Sequence, residues 1–274
     1  MFGYRPDGKK VKDLDPITKI IPHIMSARHD SQNLAKYNVP CEAMDTYIRE
    51  QAEKGEQYTY MQILIAAAAR VFTMYPKANR FVMNGRIFQH NDIRISFVVK
   101  KSLDKDAPES LVKIKCSGQD TLADVRGKVN AVIAENGKME ANNGTEKLAR
   151  LLTFTPNFLI KFLVGSIKFL DKHGMLPMAI LNLSPFHTSI FITNMKSIKG
   201  PAIYHHLYDF GTTGLFLAMG KGTRGPKKTM PLQIVMDERF CDGFYWVTCL
   251  RQLLVFLNDP SLLERPLTDQ SGNL

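Results

Sequence analysis

The sequence is poor in cysteine and tryptophan. Its 274 residues include four Cys and one Trp. Cys241 and Cys249 are separated by seven residues within a predicted helix, whereas Cys41 and Cys116 are isolated. This spacing fits neither a Cys-x-x-Cys metal knuckle nor a disulfide framework. We therefore expect reduced thiols, a cytoplasmic protein and no metal site.

Long apolar runs are also missing. The most apolar region, residues 148–183, is interrupted by Pro156, Lys161, Lys168 and Asp171. Its uncharged stretches are therefore shorter than the roughly 20 residues that a spanning helix needs. The N-terminal residues, MFGYRPDGKKVKD, contain turn residues and charges where an export signal needs an apolar core. The sequence predicts neither a membrane span nor export.

Acidic residues are fewer than basic residues. The sequence has 26 Asp and Glu and 36 Lys and Arg, which gives a formal charge of +10. Such an excess suits nucleic acid, an anionic membrane surface or a small anionic ligand such as a nucleotide cofactor. The basic residues are scattered in short pairs, such as Lys9-Lys10 and Lys227-Lys228. Without a basic stripe or interleaved aromatic residues, nucleic acid is not expected, and attraction for acidic cofactors is the simpler interpretation.

Helical and strand patterns are mixed along the chain. Thr59 and Gln62 form a capping box before an Ala-rich helix over 60–75, which is apolar nearly all round and should be buried. The patterns predict further helices over 42–54, 121–135, 146–153, 157–172 and 243–258, and strands over 81–85, 86–90, 93–99, 112–116, 188–193, 213–219 and 232–236. This order lacks the regular βαβ alternation of a doubly wound fold.

The Gly-rich segment MGKGTRGPKK is a weak candidate for a phosphate site. Its Gly220, Gly222 and Gly225 could expose backbone N–H groups beside several cations. No predicted helix opens directly behind it. A basic turn between two strands is therefore the favoured interpretation.

Three histidines are candidate proton carriers. His205 and His206 are adjacent, so a strand would send them to opposite faces and a helix would place them about 100° apart. Regular structure therefore prevents both from binding one metal ion. One of them, or His187, could carry a proton because His titrates near neutrality. A surface or satisfied core role is the more ordinary interpretation.

The segment MDERFCDG places Asp237, Glu238, Arg239 and Asp242 at a predicted junction between a strand and a helix. Side chains at such junctions often meet a ligand. The alternative is structural, with Asp242 as the helix N-cap and Arg239 paired with a carboxylate. Local physical chemistry alone favours the structural interpretation.

Several segments resemble one enzyme family. KKTMPLQIVMDERFCDGF resembles the end of the catalytic domain of dihydrolipoyl acyltransferases, the core component of 2-oxo acid dehydrogenase complexes, and of the related chloramphenicol acetyltransferases. Their Asp-His-Arg-x-x-Asp-Gly pattern falls on 237–243, with Glu238 in the position of the His. SIFITN resembles a strand that ends at a functional Ser, which falls on Thr193. LFLAMGKG, TYMQILIAAAARVFTMYPKANR and IPHIMSARHDS resemble the next strand, the long buried helix and the first helix.

The resemblance runs from about Pro16 to Pro266 and implies an α/β fold, a two-layer sandwich with a mixed β-sheet and helices on one side. It also implies a homotrimer with active sites between subunits. The predicted organisation is an N-terminal arm (1–15), a single acyltransferase-like domain (16–266) and a C-terminal tail (267–274). The chain shows no lipoyl domain or peripheral-subunit-binding domain, so membership in a multienzyme complex is not expected.

An apolar helical insert, about 145–185, stands where the family enzymes have a shorter link. It could bury part of a substrate path, contact a partner or enlarge the core. Its mixed Lys and apolar content is a poor basic amphipathic signal, so membrane contact is the least favoured interpretation.

The family resemblance implies acyl transfer between coenzyme A and a thiol or hydroxyl, with the His as general base and the Ser hydroxyl on the oxyanion. Thr193 can donate the same hydrogen bond. Glu is a weaker base than His by about two pKa units, which costs about 10- to 100-fold in rate. An ionised Glu238 would also repel the developing anion, and beside Arg239 it is expected to form a structural ion pair instead.

Two functional hypotheses remain. In the first, the protein is a coenzyme A-dependent acyltransferase with reduced or altered catalysis, acting on a small-molecule or acyl-carrier substrate. Glu238, Thr193 and Asp242 are then the candidate site residues, and His205 or His206 could replace the missing imidazole. In the second, it is a catalytically inactive trimeric binding or scaffold protein that retains the fold.

Overall fold

The computed structural model describes residues 4–100, 109–138, 155–223 and 228–267. Its strands in chain order are β1 (Gly8–Lys10), β2 (Gln32–Pro40), β3 (Arg80–Met83), β4 (Arg86–His90), β5 (Ile93–Lys100), β6 (Glu109–Cys116), β7 (Ile190–Asn194), β8 (Leu215–Met219) and β9 (Thr229–Asp237). Its helices are α1 (Pro16–Ile24), α2 (Glu42–Glu53), α3 (Tyr60–Met74), α4 (Leu122–Lys138), α5 (Asn157–Lys172), α6 (Met178–Leu183) and α7 (Gly243–Asn258).

Six of these strands form a mixed sheet in the order β2-β9-β8-β7-β5-β6. β7 runs parallel to β5 and β8, and the remaining neighbours are antiparallel. A second, three-stranded sheet has the order β1-β4-β3. The predicted mixed sheet is confirmed.

Alternation along the central strands separates two faces of the large sheet. Ile190, Ile192 and Leu217 point into the main core, together with buried residues of α2, α3, α4 and α7. Phe191 and Phe216, one position away on the same strands, pack on the opposite face with Leu207. Because side chains alternate along a strand, this pattern places those four helices on one side of the sheet.

Helix α3 occupies the centre of the helical layer. Thr59 and Gln62 form the predicted capping box, and Tyr75 is the C-cap residue directly before Pro76. The four consecutive Ala residues, 66–69, are all buried. Small side chains let the helix lie close to the sheet and to α4 and α7, so the expected burial on all sides is confirmed.

The sequence pattern did not predict two strands, β1 and β2. β2 is an edge strand of nine residues whose Leu34 is 58% exposed, and its inward positions include Ala35 and Tyr37 between polar neighbours. β1 is too short to show alternation and is held by its pairing with β4. The helix predicted over 146–153 lies outside the described residues.

The insert and the N-terminal residues are joined by a buried ion cluster. Arg5 donates to both carboxylate oxygens of Asp7, at 2.9 and 3.0 Å, and to the carboxylate of Asp171 at 2.9 Å. His187 Nε2 lies 3.2 Å from Asp171 Oδ1, the same oxygen that Arg5 contacts. Burial raises the pKa of Asp171, but His187 and Arg5 outweigh it and lower that pKa below its ordinary value. The cluster therefore stabilises the contact between α5 and the N-terminal residues.

Replacing Asp171 by Ala should lower the free energy of unfolding by about 3–5 kcal/mol, because Arg5 would stay buried with part of its charge uncompensated. The control is Glu56→Ala, which breaks the more exposed ion pair with Arg126 and should cost less than about 1 kcal/mol. Urea unfolding at pH 7 measures both. Equal losses in the two variants would contradict the role given to the cluster.

His90 should make stability depend on pH. Its ring is buried, lies 4.4 Å from the Phe81 ring, and burial lowers its pKa to about 4. In the unfolded chain His90 becomes protonated near pH 6.5, whereas in the folded chain it becomes protonated only near pH 4. Above pH 6.5 His90 does not lower the free energy of unfolding. As the pH falls from 6.5 to about 4, this free energy should decrease by about 3 kcal/mol.

The measurement is urea unfolding of the native chain and of His90→Asn at several pH values between 4 and 7. The variant should show a smaller loss of stability on acidification than the native chain. The same pH dependence in both proteins would show that His90 is not its source.

Candidate functional site

The MDERFCDG segment connects β9 to α7. β9 ends at Asp237, and α7 begins at Gly243. The carboxylate of Asp242 accepts a hydrogen bond from the Tyr245 backbone N–H at 2.8 Å. The N-cap interpretation of Asp242 is therefore confirmed, and any role of this residue in chemistry remains a prediction.

Asp237 is the buried anchor of this segment. Arg239 binds its carboxylate with two hydrogen bonds, from Nε at 2.9 Å and from Nη2 at 2.6 Å. Ser31 Oγ donates a further hydrogen bond at 3.1 Å, and Arg28 Nε lies 3.9 Å away. Two guanidinium groups therefore face one buried carboxylate, which fixes the backbone at the end of β9.

Arg28 extends this anchor toward the segment before β8. Its guanidinium donates to the backbone carbonyls of Tyr208 and Gly211. Burial lowers the pKa of Arg28 to about 10, partly offset by the negative charge of Asp237. The anchor thus joins residues that are about 200 positions apart in sequence.

Glu238 is half-buried and lies outside this ion pair. Its carboxylate accepts one hydrogen bond from Asn33 Nδ2 at 2.8 Å, and its backbone N–H donates to the Ser31 carbonyl at 3.0 Å. Arg239 is committed to Asp237, so the expected structural pair between Glu238 and Arg239 is wrong. The physical reason is that Asp237 is fully buried and offers Arg239 a bidentate geometry.

Thr193 lies near the end of β7 and is buried. Its hydroxyl contacts Met195 Sδ at 3.9 Å, which is a weak partner. The strand register aligns Thr193 with Ala218, and Ala218 with Gln233. Glu238 is five residues beyond Gln233, so the two candidates are on the order of 15 Å apart along the strands of one chain. A single chain does not bring them together.

An open groove of about 680 Å³ lies beside the end of β7. Its walls are mainly apolar and include the first turn of α3, the face of α4 that carries Val129 and Ile133, and Phe97. Lys196 stands in the groove, with Nζ 3.4 Å from the centre of the Tyr60 ring. Burial and the nearby charge of Lys228 lower the pKa of Lys196. The groove combines apolar surface with a cation three residues after Thr193.

Sequence reasoning missed Lys196 and Asn33. The position of Lys196, directly after a strand that ends at a candidate residue, was a usable signal. Asn33 lies on β2, which the sequence pattern did not predict, so its contact with Glu238 could not be expected.

The other candidate residues have structural surroundings. His205 packs on Phe216 with ring centres 4.4 Å apart, and burial lowers its pKa. His206 is exposed and contacts the Tyr208 ring, while His187 is buried beside Asp171. None of these contacts joins a His to Glu238.

The Gly-rich segment lies between β8 and β9, and its residues 224–227, with Gly225, are outside the described part of the chain. A Cβ added at Gly222 would lie 2.1 Å from the Thr229 carbonyl oxygen. A side chain does not fit at Gly222, because the backbone of Thr229 lies too close. In the described part of the chain, no group of His, Cys, Asp and Glu residues is arranged to hold a metal ion.

The anchor predicts unequal effects for two neighbouring residues. Asp237→Asn should lower the free energy of unfolding by about 3–5 kcal/mol, because Arg28 and Arg239 would stay buried without a charged partner. Glu238→Gln should change it by less than about 1 kcal/mol, since the amide oxygen can still accept from Asn33. Urea unfolding measures both, and a comparable loss in the two variants would refute this division of roles.

No protein-family model and no curated protein matches the chain. Several solved structures are similar to this chain. A dihydrolipoamide acetyltransferase from Azotobacter vinelandii has a TM-score of 0.56 and 14% identity, covering 92% of this chain and 94% of that chain. A chloramphenicol acetyltransferase has a TM-score of 0.57 and 12% identity, covering 91% and 99%.

The cubic core of a pyruvate dehydrogenase multienzyme complex is similar to the same degree, with a TM-score of 0.56, 13% identity and coverage of 93% and 94%. These likenesses extend over nearly all of both chains. At this identity they establish the fold. The chain therefore has the two-layer α/β fold of the acyltransferase catalytic cores.

Proposed function

We propose that the protein transfers an acyl group between coenzyme A and a thiol or hydroxyl acceptor, with Glu238 as the proton acceptor. The observation that carries this proposal is the set of partners of the Glu238 carboxylate. Its carboxylate is held by Asn33 and is not neutralised by Arg239, which binds Asp237. A base must be oriented and free to take a proton, and this geometry meets both requirements.

The spacing of the candidate residues supports the assignment. In the Azotobacter vinelandii enzyme, a Ser, a His and an Asn take part in the catalytic mechanism, and the Asn follows the His by four residues. Glu238 and Asp242 have the same spacing, and Thr193 corresponds to the Ser in the resemblance given above.

The proposed reaction has one nucleophilic step. Glu238 takes the proton from the acceptor thiol or hydroxyl, and the acceptor atom attacks the thioester carbonyl of the acyl-coenzyme A. The Thr193 hydroxyl donates to the carbonyl oxygen as it becomes an oxyanion. The carbon–sulfur bond then breaks, and the departing coenzyme A thiolate takes up the proton from Glu238.

The groove at the end of β7, which is lined by Asn194 and Lys196, is the proposed coenzyme A site. Its apolar walls suit the pantetheine arm, and Lys196 supplies positive charge for phosphate groups. The neighbouring Lys228 is paired with Asp45. Positive charge close to a polyanionic ligand also raises the rate of encounter.

We further propose that each site forms between two subunits of a homotrimer. Thr193 and Glu238 are too far apart within one chain to act on one carbonyl group, so the partner must contribute one of them. The cubic core with this fold is a multisubunit assembly, which supports oligomer formation here.

The second candidate is a non-catalytic binding protein on the same scaffold. The observation that favours it is the missing His, because an ionised carboxylate 4 Å from an oxyanion costs roughly 4 kcal/mol at an effective dielectric near 20. The protein would then bind its acyl ligand without turning it over.

Acetyl transfer from acetyl-coenzyme A to dihydrolipoamide and to a panel of small thiols and alcohols distinguishes the two candidates. The native chain should release coenzyme A slowly, Glu238→Gln should be at least about 10-fold slower, and Glu238→His about 10- to 100-fold faster. Glu56→Gln, at a half-buried position that does not line the groove, is the control and should match the native rate. Turnover by Glu238→His alone would support the binding role, and equal rates for the native and Gln proteins would remove Glu238 as the base.

Mixed oligomers test the shared site. Thr193→Val and Glu238→Gln should each be nearly inactive alone. Co-expressed in equal amounts, they should regain about a quarter of the native rate, because about one interface in four then pairs an intact Thr193 with an intact Glu238. Light scattering should give a mass of about 93 kDa, three times 31.0 kDa. Absence of recovery in oligomers shown to be mixed would place the site elsewhere.

A further inference from the structure

Helix α5 has an unusual surface. It is 16 residues long and contains nine large apolar side chains, yet Asp171 is its one buried residue. Phe158, Phe162 and Phe169 are 75%, 68% and 55% exposed. Contiguous exposed apolar surface of this kind marks an interaction site.

The three Phe residues form one stripe that points away from the protein. Successive residues of a helix are about 100° apart, so Phe158, Phe162 and Phe169 cluster within about 40° of one another. The centre of this stripe lies about 160° from Asp171, the residue that attaches α5 to Arg5 and His187. The side of α5 that binds the protein is therefore opposite the Phe stripe.

A second stripe, of lysines, runs beside the first. Lys161, Lys168 and Lys172 are exposed and lie within about 40° of one another, at about 80° from the Phe stripe. Lys168 and Lys172 also line a cleft of about 470 Å³ whose wall includes Arg28 and Arg239. Arg28 and Arg239 face the Asp237 carboxylate, so the positive charge on this side of α5 comes from the exposed lysines.

We infer that α5 docks this protein onto the surface of a membrane that contains anionic lipids. Phe side chains insert between headgroups and acyl chains, while neighbouring Lys side chains remain with the phosphates. A protein partner is less suited to this surface, because the cores of protein interfaces are depleted in Lys. The helix lies on the bilayer; among the described residues, none of the helices is long and apolar enough to cross it.

The inference reverses the expectation drawn from the sequence. Leu159, Leu163 and Ile167 occupy further faces of α5 and weaken the amphipathic pattern. In the structure these three side chains are 38%, 40% and 37% exposed, less than any of the three Phe side chains, so the Phe stripe beside the Lys stripe becomes visible.

Sedimentation with vesicles tests the inference. The full chain should bind vesicles of phosphatidylcholine with phosphatidylglycerol and should bind pure phosphatidylcholine much more weakly. The triple variant Phe158→Ser, Phe162→Ser, Phe169→Ser should lose at least about 100-fold in partitioning. The matched control is Phe244→Ser, at a position that is 84% exposed on α7, and it should bind like the native chain.

The charge is tested separately. Each Lys→Gln change at Lys161, Lys168 or Lys172 should weaken binding to the anionic vesicles about fivefold, and added salt should weaken native binding. Thermal unfolding should show that all the variants remain folded, because the substituted side chains are exposed.

Two results would overturn the inference. The first is native protein that binds neither kind of vesicle, or binds both equally at low salt. The second is a triple Phe variant that keeps native vesicle binding. If vesicle binding is absent and the triple variant has a smaller mass in light scattering than the native chain, the Phe stripe is instead an interface between copies of this chain.

Discussion

The buried carboxylate of Asp237 organises the candidate site. Two guanidinium groups and a hydroxyl converge on it from segments near both ends of the chain, and this convergence fixes the turn between β9 and α7. Because Arg239 binds Asp237, the Glu238 carboxylate accepts its hydrogen bond from Asn33 and not from Arg239. A change in this ion pair would therefore alter the orientation of Glu238 as well as the stability of the fold.

The most regular elements could be predicted from the sequence. Helix α3 follows from its capping box and continuous apolar surface, and α7 follows from an Asp N-cap and a terminating Pro260. β2 could not be predicted, because an edge strand needs less apolar surface and its Leu34 faces solvent. The pairing of an edge strand is decided by a neighbour that lies about 200 residues away in sequence.

The candidate site residues come from the family resemblance, and their geometry could be predicted only in part. The family resemblance singles out Glu238, Asp242 and Thr193. It cannot tell which of two adjacent carboxylates, Asp237 or Glu238, binds Arg239, because that choice depends on burial and on Ser31 and Arg28. The distance between Thr193 and Glu238 likewise depends on strand register, which a one-dimensional pattern does not contain.

The central claim is that Thr193 and Glu238 of different subunits flank one substrate site. Chemical cross-linking tests it most directly. Ser197→Cys chains, changed at an exposed groove position four residues after Thr193, are co-assembled with Glu238→Cys chains and treated with a short bis-maleimide. The four native Cys are buried and should not react. The account predicts a covalent dimer when both variants are present and markedly less with either alone. Monomers throughout, in oligomers confirmed to be mixed, would contradict it.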